Sequence, residues 1–140
     1  MAEVTRSRRK ELLGVLLLLL LASCGRGAQD LPDVGVELAI APQPPQLGPA
    51  TITVTLSDAS GQPIEGAEVE LEGNMNHAGM VPVSARASEV APGRYRADLE
   101  FTMGGDWFIL VQADLPDGRS MERKVDVPAV DLFCGETPEP

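Results

Sequence analysis

The sequence predicts an all-β fold, an immunoglobulin-like antiparallel β-sandwich of about seven strands. Short apolar runs alternate with polar residues at period two, which puts one strand face in a core and the other in water. Glycine, proline and serine turn signals separate the runs. No segment beyond residue 23 shows a helical period. Short strands at this spacing suit two packed sheets.

The elements follow in order. Val36, Leu38 and Ile40 alternate with Glu37 and Ala39, and Ile52, Val54 and Leu56 alternate with threonines. Val69 and Leu71 alternate with Glu68, Glu70 and Glu72, and Val81, Val83 and Ala85 with Pro82, Ser84 and Arg86. Tyr95, Ala97, Leu99 and Phe101 alternate with Arg94, Arg96, Asp98 and Glu100. Trp107 to Val111 is apolar throughout and reads as a more buried strand. Val125 and Val127 close the series, with Lys124 and Asp126 facing out and Met121 on the core side. Turns are expected at Pro44-Pro45, Ser60-Gly61, Pro92-Gly93, Gly104-Gly105 and Pro116-Asp117-Gly118. Tyr95, at the head of its strand, fits either a tyrosine corner, with the phenol bonded to upstream backbone, or an ordinary core tyrosine.

The N-terminus carries a different signal. Arg6, Arg8, Arg9 and Lys10 precede a leucine-rich stretch, Leu12 to Leu21, and then Leu21-Ala22-Ser23-Cys24. Basic start, short apolar middle and small residues at the cut are the parts of a secretory signal peptide. The apolar run is about half the roughly 20 residues of a membrane-spanning helix. Leu-Ala-Ser-Cys resembles the bacterial lipobox, which implies a diacylglyceryl group on Cys24 and cleavage before it. The competing reading is an uncleaved membrane anchor. Gly25 stands where an inner-membrane retention signal would resemble Asp, which favours the outer membrane. The expected domains are a signal peptide at 1–23, a lipid-anchored linker at 24–33, the sandwich at 34–128 and an acidic tail at 129–140.

Charge narrows the function. The chain of 140 residues has net charge −10. Residues 1–23 hold four basic and two acidic residues, so the mature chain keeps seven basic against nineteen acidic, net −12. Such a surface repels phosphate backbones and excludes nucleic acid as a partner. With Cys24 acylated, Cys134 is left without an intramolecular partner. It is either a thiol for intermolecular pairing or soft metal, or a tail residue without a role.

One segment breaks the strand pattern: Gly73-Asn-Met-Asn-His-Ala-Gly-Met80, with the sole histidine of the chain, His77. Methionine is usually core filler, but Met75 and Met80 flank a polar loop. Thioether sulfur and imidazole together suit Cu(I), whereas Mg²⁺ and Ca²⁺ want oxygen and zinc wants thiolate, several histidines or carboxylate. In an extended chain Met75 and His77 project to one side. A bend at Gly79 could bring Met80 round. Met103, just before Gly104-Gly105, either joins this cluster at one end of the sandwich or closes the core. His77 is a ligand or a plain surface histidine.

Gly61-Gln-Pro-Ile-Glu-Gly-Ala-Glu-Val69, the Met75–Met80 loop with Pro82, Pro92-Gly-Arg-Tyr95 and Phe101-Thr-Met-Gly-Gly-Asp-Trp107 follow in order. Together they resemble the YtkA-like domain and are similar to the periplasmic part of FixH, over roughly residues 34 to 127. The resemblance implies an immunoglobulin-like domain outside the cytoplasmic membrane, associated with copper handling and copper supply to respiratory oxidases. It implies Met75, His77 and Met80 as ligands, with Met103 after the tyrosine strand. FixH resembles a membrane-helix protein, whereas this chain carries a lipobox.

Two functions remain. One is a membrane-anchored copper carrier that holds Cu(I) at Met75, His77, Met80 and Met103 for a copper-requiring membrane complex. The other is a lipid-tethered interaction module without metal, its methionine loop a contact patch. Catalysis is not expected: His77 lacks a motif-linked nucleophile, and Ser84 and Ser88 lie in strand alternation without a nucleophile elbow.

Overall fold

The computed structural model describes residues 27–131. The expected signal peptide, Cys24 and Cys134 lie outside the described residues. Seven antiparallel strands form the fold: β1 (Gly35–Ala41), β2 (Gly48–Ser57), β3 (Glu68–Met75), β4 (Val83–Ala91), β5 (Arg94–Phe101), β6 (Gly105–Asp114) and β7 (Ser120–Val130). Among the described residues no helix is long and apolar enough to cross a membrane.

The strands run in the order β1-β2-β5-β4-β3-β6-β7. β4 is shared by the two halves of the sandwich. Its first part, Val83 to Ala87, pairs with β3, and its second, from Ser88, pairs with β5. A register shift between Glu89 and Ala91 marks where pairing with β5 becomes irregular, as bulges do where a strand bends. The two halves face each other across the core. Phe101 of β5 meets Trp107 of β6 edge to face, centroids 5.1 Å apart and rings at 77°. A Cβ on Gly73 would lie 3.2 Å from Leu99 and 3.3 Å from Trp107, so β3 comes within touching distance of β5 side chains.

The expected core alternation holds in β2 and β5, neighbouring strands on which Ile52, Val54 and Leu56 lie beside Tyr95, Ala97, Leu99 and Phe101, all buried. Met121 is a core residue, with none of its surface exposed. β6 alternates more than its sequence suggests: Trp107, Ile109 and Val111 are buried, but Phe108 and Leu110 are only half-buried. Lys124 covers Phe108 instead, its Nζ 4.5 Å from the ring centroid. Val81 lies outside β4 and is 79% exposed.

The Tyr95 hydroxyl donates to the Ile64 carbonyl at 2.8 Å and accepts from the Ala67 N–H at 3.0 Å. The phenol therefore does bond to upstream backbone, but in the β2–β3 connection rather than in its own corner. Gly93, with φ of 67°, makes the turn into this strand. A Cβ there would lie 2.7 Å from Pro63 and 2.8 Å from the Leu56 carbonyl.

Two expected boundaries move. Residues 29–33, read as linker, are docked on β7. The Glu122 N–H donates to the Gln29 carbonyl at 3.0 Å. Arg123 pairs with Asp30 at 2.6 Å and also donates to the Leu31 and Val34 carbonyls. Arg119 pairs with Asp33 at 2.7 Å. At the other end β7 runs past residue 128. Val130 is buried, and Asp131 exchanges backbone hydrogen bonds with Pro45 and Leu47.

Candidate metal centre

The two ends of the sandwich differ. Gly105 pairs with Val130 at one end of β6 and β7, and Asp114 pairs with Ser120 at the other. β3 reaches the first end at Met75, which lies opposite Trp107 of β6. The methionines of interest gather there, and the docked N-terminal segment lies at the opposite end.

Met75 is the last residue of β3 and is half-buried. Strand β3 is thus longer than the apolar alternation indicates, because Gly73 and Asn74 continue it without apolar side chains. After Met75 the chain turns. The Met80 N–H reaches back to the His77 carbonyl at 3.4 Å, and Gly79 takes φ of 86°. This is the bend the glycine permits, and it returns Met80 to Met75. The Met75 backbone N–H donates to the Met80 sulfur, Sδ, at 3.0 Å.

The β3–β4 ladder explains why a sulfur takes that amide. The ladder stops at Gly73 and Val83, so no β4 residue is paired with Met75 to offer its N–H a carbonyl. The Met80 sulfur stands in for the next rung, and Met80 itself packs against the core edge.

Met103 arrives at the same end from the β5–β6 turn. β5 stops at Phe101, and Met103 is 37% exposed, so it does not close the core. Its carbonyl accepts the Trp107 indole N–H at 2.8 Å. The turn then passes close to Met75: a Cβ on Gly105 would lie 3.1 Å from the Met75 methyl carbon, and Gly105 adopts φ of 121°. Trp107 therefore links the site, facing Met75 across the strand pair and fixing the Met103 backbone.

His77 departs from the expected geometry. The chain leaves the strand after Met75, so Met75 and His77 are not two positions of one extended segment. His77 sits exposed on the turn between the two sulfurs. Met75 and Met80 are brought together, Met103 lies at the same end, and His77 is exposed on the turn that joins Met75 to Met80.

Trp107 is the residue that sequence reasoning missed, since it reads there only as buried strand. Its signal was available. A buried indole needs an acceptor for its one N–H, and the glycine turn just before it supplies the nearest backbone.

The donor set fits a soft monovalent ion. Among the described residues no group of three or more histidine, cysteine, aspartate or glutamate side chains is placed to hold a metal. Zinc and calcium sites are built from such groups. What the fold brings together is thioether sulfur, a soft donor, at Met75 and Met80, with His77 on the turn that joins them.

These features define an immunoglobulin-like β-sandwich domain with a methionine cluster at one end. The chain belongs to the YtkA-like family, whose model matches residues 29–112. The match starts at the docked segment and spans Met75 through Met103. Among solved structures, the soluble domain of PmoD from Methylocystis sp. is 11% identical, covering 70% of this chain and 90% of that one, with TM-score 0.46. Murine CRIg is 12% identical, covering 72% of this chain and 98% of that one, with TM-score 0.43. The curated proteins offer no match.

Proposed function

We propose that this protein is a lipid-anchored extracytoplasmic copper carrier. It takes Cu(I) as cargo at Met75, Met80 and Met103, with His77 as the imidazole donor. It supplies or buffers that copper for a membrane partner such as a respiratory oxidase. The observation that carries this reading is the return of Met80 onto Met75 beside the Met103 turn. The two methionines of a polar, glycine-containing loop meet at the rim of the core. The YtkA-like family and the lipobox at Cys24 support it from the sequence. Each member of the chain's donor set has a separate part: the thioethers bind without giving up a proton, and the exposed imidazole can enter or leave the site as the ion is passed on. Catalysis has no part in this reading.

The test is an anaerobic titration against a colorimetric Cu(I) chelator. Replacing Met75 and Met80 together by leucine lowers Cu(I) affinity by at least an order of magnitude, whereas Met121→Leu, in the core, leaves it nearly unchanged. Equal affinity in the two variants sinks the carrier reading.

One observation favours a second reading, a docking module without metal. Val81, beside Met80, is 79% exposed, and Met103 is 37% exposed, so the cluster has an apolar rim. Protein that emerges metal-free from copper-loaded purification, with its fold intact, supports that reading instead.

A further inference from the structure

The hydrogen bond between the Met75 amide and the Met80 sulfur gives one side chain two competing uses. We propose that Met80 is a switched ligand. In the metal-free chain its sulfur caps the Met75 amide. A soft monovalent cation draws the same sulfur away and releases the amide. This rests on the copper reading and adds the way the site is held closed without its cargo.

The geometry supplies each part of such a latch. The bond is 3.0 Å long and comes from the last residue of β3, where the β3–β4 ladder has already ended. The amide therefore has no β4 carbonyl to fall back on. Thioether sulfur is a weak acceptor, so a metal with real affinity for sulfur outcompetes the N–H. The segment that must move is lightly held. Its turn closes through a long contact, Met80 N–H to the His77 carbonyl at 3.4 Å, near the limit for a hydrogen bond. Gly79 is the hinge: it has φ of 86°, and a Cβ there would meet nothing within 4 Å. The donor side is fixed by contrast, because Met75 is paired with Trp107 in β6.

The latch has a consequence for delivery. Met75 offers its side chain to the ion while its backbone waits to recapture the Met80 sulfur. Departure of the ion is helped by a bond that re-forms within the protein. It also keeps the half-buried Met80 thioether occupied when no ion is present.

The test uses the intact chain in detergent micelles, labelled with ¹⁵N and with ¹³C in the methionine methyl groups. Ag⁺ serves as the redox-inert soft probe. In metal-free protein Met80→Leu speeds exchange of the Met75 amide roughly three- to tenfold, the range set by the net worth of one hydrogen bond. The Val69 amide, near the start of β3, is unchanged. In the unmutated protein Ag⁺ shifts the Met75 and Met80 methyl signals and speeds Met75 exchange by a similar factor. If the methyls shift while Met75 stays as protected as before, the latch is wrong and the metal reading stands. If no methyl shifts, the metal reading fails and the release fails with it. Unchanged Met75 exchange in metal-free Met80→Leu overturns the latch on its own.

Discussion

Tyr95 shows how much one side chain can hold together. It is almost wholly buried, yet its hydroxyl serves both the Ile64 carbonyl and the Ala67 N–H. These lie in the connection that carries the chain from β2 to β3. Tyr95→Phe keeps the ring and strands both backbone groups, so it costs about 1–3 kcal/mol, read by urea unfolding. The pH dependence has a fixed sign. Burial holds the phenol above its ordinary value of 10.0. A group raised in the folded state stabilises fully below its unfolded value and loses that contribution as pH rises through the folded one. The unmutated protein therefore loses stability above pH 10 through this group, and Tyr95→Phe lacks that component. A variant as stable as the parent, with the same alkaline profile, would contradict the assignment. The bond from Tyr95 to upstream backbone was legible from its place at the head of a strand. Its partners were not, because Ile64 and Ala67 are distant in sequence and reveal nothing of the contact locally.

Among the elements, the strands were legible because apolar and polar residues alternate along them, β6 reading instead as a continuous apolar run. What escaped notice is built from residues that do not alternate. Gly73 and Asn74 break the apolar pattern, yet β3 continues through them, paired with Ile109 and Phe108 of β6, and a Cβ at Gly73 would crowd Leu99 and Trp107. Gly79 announced the return of Met80, whereas the parity argument for His77 failed because the chain turns as soon as the ladder ends. Residues 29–33 have the small polar composition of a linker, and what docks them comes from β7 and the turn before it. Arg123 pairs with Asp30 while donating to two carbonyls, and Arg119 pairs with Asp33. The Arg119 guanidinium beside Asp33 holds that carboxyl below its ordinary 3.8, and Asp117 is lowered by its hydrogen bonds from Arg119. Lowered carboxylates stabilise above the ordinary value, so the Arg119 contacts loosen as pH falls through the lowered ones. Arg123→Met retains the aliphatic stem but not the clamp. It accelerates exchange of the Glu122 amide, which bonds Gln29, and lowers the melting temperature by only a few degrees, the effect of about 1 kcal/mol in a domain this size. Unaltered Glu122 exchange would show that the segment docks without Arg123.

At the scale of the molecule, the docked segment changes what an anchor at Cys24 would do. Only the few residues between Cys24 and Gln29 then remain as tether, about 17 Å at full stretch. The tether enters at the end of β6 and β7 marked by Asp114 and Ser120, and the methionine cluster lies at the end marked by Gly105 and Val130. β6 is ten residues long, so the two ends are separated by about 30 Å. Cleaved before Cys24, the chain would carry net −12 and be repelled by anionic headgroups. On the proposed anchor the domain therefore stands up, with the methionine end farthest from its own bilayer, where a partner projecting from a membrane would meet it. Energy transfer to a headgroup acceptor in vesicles measures this. With Cys134→Ser as background, a donor on Pro116→Cys, in the β6–β7 turn, transfers efficiently. A donor on Val81→Cys lies farther out by up to about 30 Å and transfers weakly. Adding Cys24→Ser removes both signals, because the chain no longer stays on the vesicle. Equal transfer from the two sites would mean that the domain lies on its side, with the cluster no farther from the bilayer than the tether.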